Sequence, residues 1–135
     1  MPHQILAFLC KKPDLSTQQF IDYYEHKHLP LIVSLSGDTL PTTYKRRYTH
    51  RDATIDPDSE TLFGAQLLPA NGKTGIEYDV VVELVWPTKA ASHAWFAQIN
   101  KDGGGEKIRI DEEVFLDRSR TTAFVVEEHV TRDMR

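Results

Sequence analysis

The sequence predicts an α+β protein of the ferredoxin-like class, in which a β-α-β-β-α-β order of elements forms one antiparallel sheet with helices on one face. Three observations support this prediction. The stretch YDVVVELVW at 78–86 is the clearest strand in the 135-residue chain. A helix signal follows the first strand and another follows the third. The last apolar segment, TTAFVVEEHV at 121–130, has the composition of a strand. The length fits a single domain over residues 1–135.

The predicted strands are rich in β-branched and aromatic side chains. They are Gln4–Lys12, Thr42–His50, Tyr78–Trp86 and Thr121–Val130. The first and third carry apolar residues at both alternating sets of positions, which indicates that both faces of the sheet are covered. Helices cover one face only. We therefore expect a second copy of the chain to cover the other face, giving a homodimer.

The predicted helices are separated by proline and glycine signals. They run over Thr17–His28, Thr88–Asn100 and Glu106–Arg118. Ser16 and Gln19 form a capping box at the start of the first helix. Pro30 is expected to end or bend that helix before a short apolar helical piece that stops at Gly37. The glycines at 103–105 are expected to form a hinge between the last two helices.

Residues 51–75 carry Asp, Pro, Asn and Gly without a sustained hydrophobic period. We predict a long loop there, with a short helix at about Glu60–Leu67. Loops of this length are usually functional or flexible.

Composition excludes several classes of protein. No apolar run approaches the roughly 18 residues that span a bilayer, and the N-terminal residues lack the features of a secretory signal. The single cysteine, Cys10, excludes an internal disulfide and fits a cytoplasmic location. A net charge of −4 with mixed signs gives no reason to expect nucleic acid. We expect a small-molecule ligand and no membrane or nucleic-acid partner.

The two histidines of the stretch HKHLPL differ in their place on the first helix. At about 100° per residue, His28 falls on the buried stripe near Tyr24, whereas His26 faces water. An imidazole at the end of a helix beside a proline can project into a cavity and exchange protons near neutral pH. The alternative is a core histidine whose ring nitrogens bond nearby carbonyls.

The second predicted strand is unusually cationic. Alternation places Tyr44, Arg46, Tyr48 and His50 on one face and Lys45, Arg47 and Thr49 on the other. Phenols and guanidinium groups in an enclosed space could hold an anionic substrate. The alternative is an edge strand whose charges prevent aggregation. On the third strand, Asp79 is the carboxylate more open to a catalytic role, and Glu83 is expected to form an ion pair.

Metal binding is weakly supported, and we expect no metal and no cofactor. His26 and His28 are two positions apart, so on a helix they point in different directions. No glycine-rich phosphate loop follows a strand. His129, on the last predicted strand with Glu127 on the same face, is a further candidate for substrate binding.

Several segments resemble the EthD domain family, in particular its short fungal members encoded beside polyketide synthases. They are ILAFLCKKPDLSTQQFIDYYEHKHLPLI, LSGDTLPTTYKRRYTH, EYDVVVELVW and DEEVFLDRSR. The most specific match combines Lys12, Pro13, Leu15 and Ser16 with His28, Pro30 and Leu31. The resemblance implies a dimeric α+β barrel. It also implies cofactor-free decarboxylation, dehydration or cyclisation of aromatic polyketide intermediates, although relatives with this fold include oxygenases and apparently non-catalytic proteins.

Taken with these candidate residues, the resemblance implies a cofactor-independent lyase, a decarboxylase or dehydratase, acting on an aromatic polyketide intermediate. His28 would shuttle the proton, Asp79 would assist it, and Tyr48, Arg47 and His50 would hold the developing oxyanion. The remaining substrate-binding candidates, mostly aromatic residues expected to line a pocket between the sheet and the helices, are Phe8, Tyr24, Tyr44, Trp95, Phe96, Phe115 and His129. The alternatives are a cyclase or isomerase of the same fold and a non-catalytic metabolite-binding protein.

Overall fold

A computed structural model describes residues 1–49, 61–62, 65–66 and 78–133. Its main sheet has four strands in the order β2-β5-β1-β6, with every neighbouring pair antiparallel. These strands are β1 (His3–Leu9), β2 (Thr43–Tyr48), β5 (Val80–Trp86) and β6 (Thr122–Val126). The order and the helical connections are those of the predicted ferredoxin-like fold.

The helices of the first half form one nearly continuous rod. They are α1 (Thr17–Tyr23), a π-helical turn at Tyr24–His28, and α2 (Leu29–Ser36). The predicted capping box is confirmed, since the Ser16 hydroxyl accepts from the Gln19 amide and the Gln19 side chain accepts from the Ser16 amide. Pro30 lies in the first turn of α2 and does not end the rod. Proline has no backbone N–H to donate to an α-helical hydrogen bond. The wider π turn before Pro30 lets the helix continue without that bond.

The helices of the second half are α3 (Lys89–Asn100) and α4 (Gly104–Phe115), joined by a 3₁₀ turn at Lys101–Gly103. Asp102 and Gly103 have positive φ angles of 53° and 80° and make the bend between the two helices. The predicted hinge is therefore confirmed in its position, but α4 already begins at Gly104. A Cβ at Gly104 would lie 2.1 Å from the carbonyl oxygen of Ile99, so only glycine fits this close approach.

Two predictions about local structure are wrong. The segment predicted as a helix at Glu60–Leu67 contains two short paired strands, β3 (Thr61–Leu62) and β4 (Ala65–Gln66). Thr and Leu suit a strand, and the glycine at position 64 of the sequence disfavours a helix. The last strand ends at Val126, so residues 127–130 follow the sheet instead of extending it.

The helices pack on one face of the sheet, and the core between them forms two clusters. The first centres on Phe20, Tyr24 and Phe115 against Val80 and Val82, and the second on Ile32, Trp86, Trp95 and Ile99. Tyr44 and Leu84 contact both clusters and mark the seam between them. Within the described residues, no helix has both the length and the apolar character needed to cross a membrane.

Candidate active site

His28 lies at the end of the π-helical turn and is surrounded by aromatic rings. Its side chain points toward the core, whereas His26 is exposed, as the helical positions predicted. The ring centroid lies 4.8 Å from that of Phe115 and 5.6 Å from that of Tyr24. Only 4% of His28 is exposed, so in the isolated chain the imidazole is packed between rings and does not face a wide cavity.

A carboxylate from α4 holds the buried imidazole. Asp111 Oδ2 lies 2.8 Å from His28 Nδ1, and Asp111 Oδ1 accepts a 2.6 Å hydrogen bond from the Tyr23 hydroxyl. Burial, together with this bond, raises the pKa of Tyr23 to about 12, so the phenol stays protonated and keeps donating. The carboxylate favours the tautomer with hydrogen on Nδ1, because that nitrogen then donates to it.

The second ring nitrogen of His28 is available for chemistry. Among the described residues, nothing forms a hydrogen bond with Nε2. Among the described side chains, the nitrogen that is both fully buried and without a partner is Trp86 Nε1. Because His28 Nε2 also has no partner but is not fully buried, it keeps some exposure to solvent. An imidazole fixed through Nδ1 and open at Nε2 has the arrangement of a general acid or base.

The Tyr24 ring lies beside the imidazole, and its hydroxyl contacts that of a second phenol, Tyr44. The hydroxyls of Tyr24 and Tyr44 are 3.0 Å apart, and Tyr44 comes from β2, at the seam between the two core clusters. The guanidinium carbon of Arg46 lies 5.2 Å from the ring centre of Tyr44 and 6.0 Å from that of Tyr24. Burial raises the pKa of both phenols despite this cation, so both are protonated at neutral pH.

A carboxylate on the π turn organises the cationic strand. Glu25 accepts hydrogen bonds of 2.5 and 3.0 Å from Arg46 and one of 2.6 Å from the Tyr48 hydroxyl. The hydrogen bonds from Arg46 hold the pKa of Glu25 below its usual range. Burial, together with the hydrogen bond to Glu25, raises the pKa of Tyr48. The Tyr48 hydroxyl therefore already donates its proton to Glu25. It has no free proton for the predicted role of stabilising an oxyanion.

A further carboxylate of α4 belongs to the same region. Burial raises the pKa of Glu112, while its electrostatic interactions with His28 and Arg118 oppose that rise. Arg118 Nε lies 3.4 Å from Glu112 Oε1. Glu112 thus adds a titratable group close to the imidazole.

The alternation of side chains along the strands places two of the predicted residues on the opposite face of the sheet from His28. Arg47 alternates with Arg46 and points to the other face of the sheet, where its side chain is 59% exposed and lies 3.8 Å from Glu83. Phe8 is also on that face, with its ring 6.1 Å from Phe124. The predictions that Arg47 holds an oxyanion beside Tyr48 and that Phe8 lines the pocket are therefore wrong, because the sheet separates them from His28.

Asp79, predicted to assist His28, lies at the junction of β1 and β5. One of its carboxylate oxygens accepts a 2.8 Å hydrogen bond from the backbone amide of Lys11, and its own amide donates to Leu9. The residue is 3% exposed and ties the end of β1 to the start of β5. The carboxylate that contacts the His28 ring in the structure is that of Asp111.

Other predicted residues lie at a distance from the imidazole or outside the described residues. Trp95 belongs to the second core cluster, where its indole donates to Ser36 Oγ at 2.9 Å, and Phe96 is 42% exposed beside it. His129 is exposed beyond the end of β6 and bonds Glu127 at 2.5 Å. His50 lies outside the described residues. Of the predicted pocket residues, Tyr24, Tyr44 and Phe115 are the ones that gather near His28.

The sequence reasoning missed Asp111, Tyr23 and Glu25. A signal for Asp111 was present, because it precedes Phe115 by four residues and therefore lies on the same helical face.

Within the described residues, no group of three or more His, Cys, Asp or Glu side chains could hold a metal ion. The imidazole, carboxylates and phenols gathered around His28 can transfer protons.

Comparisons with known proteins agree with this fold. The EthD domain model matches residues 12–119. An ethyl tert-butyl ether d (EthD) family protein from Bacillus halodurans is 16% identical, with a TM-score of 0.54 over 96% of this chain and 100% of its own. An EthD-like protein from Ralstonia eutropha is 14% identical, with a TM-score of 0.59 over 99% and 97% of the two chains. A comparison with curated proteins gave no match. At these identities the structural likeness shows the fold alone.

Proposed function

This chain belongs to the EthD domain family, and on that basis we propose that it is a cofactor-free lyase acting on an aromatic polyketide intermediate. The reaction is decarboxylation or dehydration, with His28 as the general acid and base. The observation that carries the proposal is the 2.8 Å contact between His28 Nδ1 and Asp111, beside the rings of Tyr24 and Phe115. A carboxylate that fixes one nitrogen leaves the other to exchange protons with a substrate.

The same imidazole serves either reaction. In decarboxylation, protonated Nε2 gives its proton to the ring carbon that bears the carboxylate. The bond to the carboxylate then breaks, its electron pair returns to the ring, carbon dioxide leaves, and solvent restores the proton. In dehydration, neutral Nε2 removes a proton from the carbon next to a ketone and forms an enolate. The protonated imidazole then delivers that proton to the departing hydroxyl, which leaves as water.

The aromatic surroundings support a flat substrate. Phe115 and Tyr24 flank the imidazole, and Tyr44 and Leu84 lie where the two core clusters meet. Rings offer large apolar contact area to a planar polycyclic molecule, and the phenols offer hydrogen bonds to its oxygens. We place the substrate at this seam, with its reacting carbon facing His28 Nε2.

The test is mass spectrometry of the purified protein, in the presence of a chelator, with anthraquinone-type carboxylic acids and hydrated ketone precursors. Loss of carbon dioxide or water without added cofactor is expected. His28→Gln should lower turnover by about 10² to 10⁴. His26→Gln, a matched change two residues away and exposed to solvent, should leave turnover unchanged. A substrate that binds but is not altered would instead favour a metabolite-binding protein, and ring closure without mass loss would favour a cyclase.

We also propose that the protein is a homodimer joined through the open face of the sheet. On that face Leu6 pairs in register with Phe124, which is 57% exposed, and Phe8 contacts the same ring. Arg47 and Glu83 supply opposite charges beside this apolar stripe. Such a patch suits burial against a second copy of itself. Light scattering at micromolar concentration should give twice the chain mass of 15.5 kDa, and a monomer would contradict the proposal.

A cytoplasmic location is part of the same proposal. The one cysteine, Cys10, is a 2% exposed thiol in the core, as expected for a protein of a reducing compartment.

A further inference from the structure

The phenol pair of Tyr24 and Tyr44 contains one more proton than it uses. Two phenols carry two hydroxyl protons, and the 3.0 Å contact between their oxygens uses one of them. Among the described residues, no other group forms a hydrogen bond with either hydroxyl. One O–H is therefore left to donate to something else.

Burial indicates which phenol holds the spare proton. Tyr24 is 3% exposed, whereas Tyr44 is partly exposed at the seam between the core clusters. With Tyr24 as the donor to Tyr44, the Tyr44 O–H is the spare donor. The Arg46 guanidinium lies closer to Tyr44, at 5.2 Å, and a nearby cation strengthens an O–H donor. A donor that itself accepts a hydrogen bond is strengthened further.

The third phenol on the same face differs. Tyr48 lies two residues beyond Arg46, but its hydroxyl already donates to Glu25 at 2.6 Å. It has no proton to offer unless that bond breaks. The chain therefore contains two tyrosines on one strand, Tyr44 and Tyr48, of which one is a ready donor and the other is occupied.

We propose that Tyr44, supported by Tyr24, is the hydrogen-bond donor that stabilises a negatively charged oxygen on the substrate. This inference rests on the proposed function and narrows its substrate class. The carbon that exchanges a proton with His28 must lie close to a carbonyl or phenol oxygen on which negative charge develops. The Tyr24 ring lies 5.6 Å from the His28 ring, and the Tyr24 hydroxyl is 3.0 Å from that of Tyr44. The imidazole and the Tyr44 hydroxyl are thus linked through Tyr24, and the inference requires one aromatic molecule to reach both. A fixed donor aimed at a developing oxyanion is a strong source of catalysis.

The test measures oxyanion binding without any reaction. 4-Nitrophenol changes its absorbance on ionisation, so titration near its pKa reports the affinity of the protein for phenol and phenolate separately. The wild type should prefer the phenolate, and Tyr44→Phe should weaken phenolate binding at least tenfold while leaving the neutral phenol within about twofold. Tyr48→Phe, the matched change on the same strand, should leave phenolate binding within about twofold. Circular dichroism and thermal unfolding should show that each variant is folded.

The outcomes separate this inference from the proposed function. A wild type that does not bind the phenolate, or a Tyr44→Phe variant that binds it as well as the wild type, would overturn the inference even if His28-dependent turnover is observed. Equal losses in Tyr44→Phe and Tyr48→Phe would also overturn it, because the donor would not be specific. Phenolate binding that depends on Tyr44 in a protein without lyase activity would support the inference and refute the function.

Discussion

The carboxylate of Asp111 should make a measurable contribution to stability because it satisfies a buried donor. Replacing it by leucine keeps a side chain of similar length but removes both acceptors, those for His28 Nδ1 and for the Tyr23 hydroxyl. Replacing it by asparagine keeps one acceptor, which can turn toward the imidazole. The two variants therefore separate the presence of an acceptor from the presence of a charge.

The expected magnitude follows from the burial of the two donors. His28 is 4% exposed, so in Asp111→Leu its Nδ1–H has neither a protein acceptor nor water to bond. An unsatisfied buried donor costs about 1–3 kcal/mol. Tyr23 is only partly buried, so water replaces most of what its hydroxyl loses. With the charge-assisted character of both bonds, we expect a loss of about 3 kcal/mol for leucine and about 1 kcal/mol for asparagine.

Urea unfolding at pH 7 measures both losses, with the slope checked to be constant. Glu113→Leu is the matched control, since Glu113 lies two residues along the same helix, is 51% exposed, and pairs with Arg109 at the surface. It should leave the free energy of unfolding nearly unchanged. If Asp111→Leu costs no more than this control, or if asparagine costs as much as leucine, then the buried acceptor does not hold His28 in the way the geometry indicates.

Three further predictions concern the bend between α3 and α4, the Glu25 carboxylate and the open face of the sheet. Gly104→Ala should lower the melting temperature more than Gly105→Ala, because its Cβ would meet the Ile99 carbonyl at 2.1 Å, whereas the neighbouring Cβ would meet a side chain that can move; equal effects would contradict this. The lowered pKa of Glu25 contributes stability that is fully present above the ordinary glutamate pKa and is lost as the pH falls from there through the lowered pKa of the folded state. Wild type should therefore lose more stability than Glu25→Gln between pH 7 and pH 3 in urea unfolding. Phe124→Asp should give a monomer by light scattering at concentrations where the wild type is a dimer.

The elements of the fold were predictable because each has a local cause. Ser16 and Gln19 fix the first helix start through bonds within one turn, and nearly continuous apolar runs fix β1 and β5. The position of His28 was predictable for the same reason, since only its own helix decides whether it points inward. The burial of His28 and the exposure of His26 confirm that prediction.

The partners of these residues were not predictable, because partner choice depends on the packing of distant elements. Asp111 lies 83 positions from His28, and its place on the Phe115 face of its helix does not say which residue of the first helix it contacts. The two carboxylates differ in what they contact: Asp79 meets a backbone amide at the end of β1, and Asp111 meets a ring. Only the docking of α4 against the π turn decides between them.

The π-helical turn also explains why Tyr23 was overlooked. Tyr23 and His28 are five residues apart, and on an α-helix that spacing separates two side chains by about 140° around the axis. One carboxylate could not bond both. The turn at Tyr24–His28 has backbone bonds that span five residues, as in the bond from the Leu29 amide to the Tyr24 carbonyl, and such a turn stacks positions five apart. Asp111 can therefore accept from both because a single helical turn contains one extra residue. That turn ends two residues before Pro30, which has no backbone N–H to donate to a helical hydrogen bond.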